Sequence, residues 1–156
     1  MKRALPLISG LLAFVALSAQ GGDSRRGPQL TEAQAAPGAG QVSFRRDIAP
    51  VLVTSCSTRS CHGGGSRPPV LDPHADAASL RAALVGVASE QRPERDYVRP
   101  GDPQASYVVQ KLEGCLVDEE CADADCGEPM PLKNPPLSAE LRATIRAWIA
   151  QGASDN

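Results

Sequence analysis

Aromatic residues are scarce in this chain: two phenylalanines, two tyrosines and one tryptophan among 156 residues. Phe14 lies in the N-terminal stretch, which leaves Phe44, Tyr97, Tyr107 and Trp148 for everything else. A core built mainly from Val, Leu, Ile and Ala is marginal at this size unless disulfides, a metal or a large apolar cofactor reinforce it. An excess of charge is lacking as well. Sixteen Lys and Arg stand against eighteen Asp and Glu, a formal net charge of −2. No basic patch is interleaved with aromatics, so nucleic-acid binding has no electrostatic basis. Histidine and methionine occur twice each, which restricts any ligand of those types to very few positions. There is no internal repeat.

Long apolar runs are also missing, with one short exception. After Met1-Lys2-Arg3, residues 4–17 read "ALPLISGLLAFVAL", uncharged and mostly apolar, and Ala16-Leu17-Ser18 offers a small-x-small cleavage site. Crossing a bilayer takes roughly 20 apolar residues. Residues 1–19 are therefore expected to be a secretory signal peptide that sends the protein to the periplasm or out of the cell. In "LSAQ", Gln20 stands where a lipoprotein signal has its cysteine. Without that thiol the mature chain is expected to be soluble, with no stable membrane insertion. Residues 20–41, "QGGDSRRGPQLTEAQAAPGAGQ", carry almost no large apolar side chain and cannot offset their ordering entropy. They are expected to form a flexible linker, followed by one small domain over residues 42–154.

Within that domain the spacing of apolar residues predicts helices and no convincing strand. Phe44, Ile48, Val51 and Leu52 fall on one helical face over residues 43–54, with Asp47 as N-cap and Pro50 in the first turn. Asp76 can cap a short helix that buries Leu80 and Leu84 and ends near Gly86. A further helix is expected from Gln104 to Leu112, after turn chemistry at Pro100-Gly101-Asp102-Pro103. The clearest helix is the last: Ser138 as N-cap, Glu140 in the first turn, a stripe of Leu141, Ile145, Trp148 and Ile149, and Gly152 as the stop. The fold class is all-α, with loops long enough to require an organiser beyond side-chain packing.

The stretch "SCSTRSCHGGG" carries the chemistry. Cys56 and Cys61 could close a disulfide outside the cytosol, but that leaves His62 and the glycines unexplained. Zinc would need four ligands in tetrahedral array; Cys56, Cys61, His62 and a later cysteine could supply them, although the spacing fits no common zinc ribbon. The third reading is covalent haem, whose usual signature is C-x-x-C-H. Two thiols add across the porphyrin vinyl groups, and the adjacent histidine ligates iron. Here "STRS" separates the thiols. At about 100° per helical residue, five positions point two cysteines differently from three, so the extra residues must loop out. The glycines after His62 are expected to let the backbone turn away beside the ring.

Iron in haem accepts His or Met opposite the proximal histidine. Met1 leaves with the signal peptide, so Met130 in "GEPMPLKNPP" is the favoured sixth ligand, and His74 in "LDPHADA" is the alternative. Cys115, Cys121 and Cys126 remain. Two of the three are expected to pair and brace the loop that delivers Met130, with Cys126 as one partner; spacing alone does not choose the other. A metal site within "CLVDEECADADC" would have carboxylates but no histidine.

In order, "SFRRDIAPVL", "C…CHGGG", "RPGDPQASYVVQKLEG", "MPL" and "PPLSAELRATIRAWIAQGA" resemble the single-haem, planctomycete-type cytochrome c domains of exported bacterial proteins. The likeness runs from about residue 42 to 153, and the final helix together with the ordered set of motifs is more specific than any one motif. It implies a cytochrome c-like helical fold with first and last helices packed together and long loops around a covalent haem. It implies thioethers at Cys56 and Cys61, His62 as proximal ligand and Met130 as distal ligand; family members with longer spacers accommodate "STRS".

The expected function is therefore one-electron transfer by a single haem c, in a monomer that meets redox partner proteins and is not an enzyme in its own right. Two other classes stay open: an exported, disulfide-stapled binding or structural module without haem, and a haem enzyme or sensor with an open sixth position.

Overall fold

In the computed structural model residues 40–116 and 120–156 are described. The expected signal peptide, and all of the expected linker except the exposed Gly40 and Gln41, lie outside them.

Four α-helices form among the described residues: α1 (Ala49–Ser55), α2 (Ala77–Ala82), α3 (Tyr107–Glu113) and α4 (Ala139–Ala150). Two isolated bridges, Val85 with Val98 and Ala88 with Asp96, tie a loop without making a strand. The fold is helical, as the apolar spacing predicts. No helix among the described residues is long and apolar enough to cross a membrane.

Pro50 reshapes the first element. In place of one continuous helix, a π-helical turn, Phe44–Ile48, leads into α1. Proline has no N–H to offer the Arg46 carbonyl, and the chain just upstream widens so that the Ala49 N–H reaches back to the Phe44 carbonyl. Pro50 sits in the first turn of α1, where a missing donor is harmless. Asp47, the expected N-cap of this helix, instead serves the turn before it. Its Oδ2 accepts the Ser43 N–H at 2.8 Å while Ser43 Oγ accepts the Arg46 N–H at 3.2 Å, a reciprocal cap.

The other starts follow local chemistry more closely. Asp76 Oδ1 accepts the Ser79 N–H at 2.7 Å, and Ser138 Oγ accepts the Leu141 N–H at 3.2 Å. α3 begins at Tyr107 rather than near Gln104, because the preceding turn keeps those residues. Asp102 Oδ1 takes the Ala105 N–H at 3.0 Å, and the buried Ser106 hydroxyl donates to the Asp102 carbonyl at 2.8 Å.

The π turn packs against α1, α2 and α4. Its Phe44 is fully buried against Trp148 of α4, ring centroids 5.1 Å apart and planes inclined by 37°. Flanking main chain secures this pairing: Arg45 N–H donates to the Asn156 main-chain oxygen at 3.0 Å, and Val42 N–H donates to Gln151 Oε1 at 2.8 Å. α3 joins the assembly by packing on α4, and the Gly101 N–H reaches the Ile149 carbonyl at 2.8 Å.

Trp148→Ala should lower unfolding free energy by about 3–5 kcal/mol, the usual cost of emptying a buried aromatic site. Arg45→Ala, which removes the exposed ion pair to Asp155 (2.9 Å), should cost less than about 1 kcal/mol. Denaturant unfolding curves of the two variants check the contrast.

Candidate functional site

α1 delivers the first thiol. The Leu52 carbonyl accepts the N–H groups of both Cys56 and Ser57, each at 2.9 Å, which ends the helix at the cysteine. Thr58, Arg59 and Ser60 then bulge outward, all exposed. The turn is closed by Cys61 N–H to the Thr58 carbonyl (2.9 Å), Gly63 N–H to the same carbonyl (3.1 Å) and His62 N–H to the Cys56 carbonyl (3.1 Å). The spacer loops out as its length requires, and the last of these bonds sets His62 beside Cys56.

Gly63 and Gly64 are also required by the packing of the loop on itself. A Cβ on Gly63 would lie 2.1 Å from the Ser57 carbonyl oxygen, and one on Gly64 would lie 2.3 Å from the Arg59 carbonyl oxygen. The room they leave is taken by the backbone of the spacer itself. Gly65, at φ 76°, is the one that needs left-handed freedom.

His62 is already oriented. Its Nδ1 lies 3.1 Å from the Arg67 carbonyl. A carbonyl only accepts, so Nδ1 carries the proton, and in the neutral ring the lone pair sits on Nε2. A hydrogen bond of this kind fixes the tautomer and aim of ligating imidazoles.

Met130 comes from the segment that follows α3 and is held by that helix. The last carbonyls of a helix lack helical partners, and that of Lys111 accepts the Met130 N–H at 2.8 Å. Upstream, Cys121 and Cys126 form a disulfide with Cα atoms 5.2 Å apart. The Cys126 carbonyl accepts from Lys111 Nζ at 2.6 Å and from the Tyr107 hydroxyl at 3.1 Å. Both ends of the segment 126–130 are thus fastened to α3. The disulfide settles the pairing that spacing left open; Cys115 is the free, exposed thiol.

These pieces meet at a cavity of about 400 Å³ whose wall includes Cys56, Cys61, His62 and Met130. That volume is in the range of small-molecule and cofactor pockets, roughly 300–1,000 Å³. Leu71, Leu84, Tyr97, Tyr107, Val108 and Leu112 supply its apolar faces. His74 is elsewhere: it is exposed, its N–H is bound to Asp72 Oδ1 at 2.9 Å, and it is not part of the wall.

Burial pushes the Cys56 thiol up to about 11, with the nearby Cys61 adding to the effect. Cys56 is therefore a protonated thiol at neutral pH in the empty cavity. The zinc reading lacks its extra cysteine, since Cys121 and Cys126 are bonded to each other and Cys115 is exposed. Among the described residues no group of three or more His, Cys, Asp or Glu is placed to hold a metal ion, in the acidic loop or elsewhere.

Lys111 is a site residue that the sequence reading missed, along with Tyr97, Tyr107 and Leu84. It lines the cavity although it is only 7% exposed, and burial lowers its pKa while Asp125 and Glu128 act from a distance to raise it. Its signal was a lysine on an otherwise apolar helical face, one turn from Tyr107, with which its ammonium makes a cation–π contact at 5.8 Å.

Comparison of the chain with protein-family models, with curated proteins and with solved structures finds no match.

Gly63→Ala should cost about 1–3 kcal/mol, as overpacking does, and should displace His62. Gly65→Ala meets no atom within 4 Å and should cost about 1–2 kcal/mol through backbone strain alone, with His62 left in place. Unfolding curves and the His62 ring resonances in NMR spectra distinguish the two outcomes.

Proposed function

We propose that this chain is an exported c-type electron carrier holding one haem covalently in the cavity. The observation that carries the reading is the meeting of Cys56, Cys61, His62 and Met130 on the wall of a single apolar cavity. The donor set suits the group: two unbonded thiols, an imidazole whose Nε2 is available, and a thioether on a braced loop. Each cysteine would add its S–H across one vinyl C=C, forming one S–C and one C–H bond with nothing released. His62 through Nε2 and Met130 through Sδ would hold the iron.

When bound, the group supplies one-electron chemistry, its iron alternating between ferric and ferrous. With His62 and Met130 both engaged, no ligand position is left for a substrate, which favours a carrier over a catalyst. The apolar side chains of Leu71, Leu84 and Leu112 keep water from the ligands. Met130 ligation raises the reduction potential.

The fold that goes with this reading is cytochrome c-like. Support comes from the packing of the first helical segment on the last through Phe44 and Trp148, and from long loops wrapped around the cavity. Export to the periplasm or beyond rests on the pattern of residues 1–19. The partners would be redox proteins that meet a monomer.

Protein recovered from its native host should be heavier than its mature chain by one haem and show a low-spin haem c spectrum. An intact mass equal to the amino acids alone defeats the proposal and leaves the disulfide-stapled module. A high-spin ferrous form that binds carbon monoxide moves the assignment to an enzyme or sensor.

Met130→Ala should open the sixth position and lower the potential by on the order of 100 mV, a fraction of the roughly 0.8 V that axial ligands control. An unchanged spectrum would transfer the role to His74. Far-ultraviolet circular dichroism should show the haem-free chain with far less helix than the loaded protein, because the cavity faces would then have nothing to pack on.

A further inference from the structure

Two cations are buried among the described residues, Arg92 and Lys111, at 5% and 7% exposure. Their surroundings differ. Arg92 is fully supplied: Glu94 meets its Nε at 2.5 Å, Glu120 pairs with one terminal nitrogen, and Gln110 Oε1 accepts from the other at 3.1 Å. Lys111 has no carboxylate within ion-pair distance among the described residues. Its ammonium makes one hydrogen bond there, to the neutral Cys126 carbonyl at 2.6 Å, and faces the Tyr107 ring at 5.8 Å. An ammonium has three protons to donate, and an ionised group taken out of water is costly unless it is paired.

The cavity is where a partner can come from, because Lys111 forms part of its wall. Among the described residues the only acidic side chain on that wall is Glu90, which is exposed and not paired with Lys111. We propose that Lys111 is a binding residue of the cavity: the ion-pair anchor for a carboxylate on the ligand that fills it. The inference rests on the haem reading above, under which that carboxylate is an acid arm of the porphyrin. It sets a buried positive charge on α3 into a wall whose other described cation, Arg67, is exposed to water beside the thiols and imidazole. Because the Lys111 carbonyl also holds Met130, one residue would join the ligand's acid arm to the loop that carries its sixth donor. A cation here favours the more electron-rich, ferrous state.

The test uses haem-loaded protein. In the ferrous wild type, nuclear Overhauser contacts are expected between the Lys111 ε-methylene protons and the methylene protons of a porphyrin acid arm; their absence overturns the proposal and needs no variant. Lys111→Met should lower the ferrous-to-ferric ratio at a fixed electrode potential about tenfold, or roughly 59 mV for one electron. Lys111→Arg should restore it. A Lys111→Met protein that carries haem and matches the wild-type ratio to within about twofold overturns the proposal while the electron-carrier reading stands. Wild-type protein without haem mass overturns both.

Discussion

Phe44 set obliquely against Trp148 is the contact on which the described domain depends. The π turn that carries Phe44 is the element that touches α1, α2 and α4 alike, and the ring it buries is one of very few in the chain. Hydrogen bonds from Val42, Ser43, Phe44 and Arg45 to Gln151 and Asn156 hold the two segments in register around it. With α1 and α4 fixed in this way, the end of α1 points its cysteine at the space in front of α3. What packs on Trp148 therefore decides where Cys56 is presented. The short helices α2 and α3 could not fix that position by themselves, since isolated helices of this length are unstable in water.

Much of the architecture was legible because it is written in local chemistry. Asp76 and Ser138 cap the helices they precede, and Ile145, Trp148 and Ile149 form the buried stripe of α4. What escaped was competition between neighbouring preferences. Residues 43–54 do contain helix, but the absent donor at Pro50 turns the first half into a π turn and gives Asp47 a different partner. The helix expected from Gln104 starts at Tyr107 because Ser106 is drawn into the preceding turn, its hydroxyl donating to the Asp102 carbonyl and its oxygen accepting the Arg99 N–H. The loop with bridges at Val85–Val98 and Ala88–Asp96 carries no alternation of apolar and polar residues that would have disclosed it.

The candidate site divides along the same line. Cys56, Cys61 and His62 are readable from adjacency, and Met130 from the shortage of alternatives, because both arguments need only the order of residues. The pairing of Cys121 with Cys126 needed a distance, as three thiols allow three bonds and sequence ranks them weakly. The role of Gly63 and Gly64 needed a backbone path: flexibility and close approach look identical in a string of glycines, and only the carbonyls of Ser57 and Arg59 tell them apart. Lys111 needed burial. A lysine in "SYVVQKLEG" reads as a solvated charge until the helix is seen to turn it inward.

The longer spacer between the two cysteines can be understood in the same physical terms. Its added length is absorbed where it does no harm, in the exposed Thr58-Arg59-Ser60 bulge, and the cost is carried by residues outside the Cys–His pair. The Thr58 carbonyl takes two N–H groups, from Cys61 and Gly63, so the bulge is a closed hydrogen-bonded unit. Gly63 and Gly64 must then be side-chain-free so that the returning chain can lie directly on that unit. The glycines and the spacer are thus one device, each making sense only with the other. Together they let the His62 N–H come back to the Cys56 carbonyl despite the extra residues. The relation that matters for chemistry, a thiol at the end of a helix with an imidazole held beside it, is preserved by the backbone of the loop; of the intervening side chains Ser57 is buried, and Thr58, Arg59 and Ser60 face water.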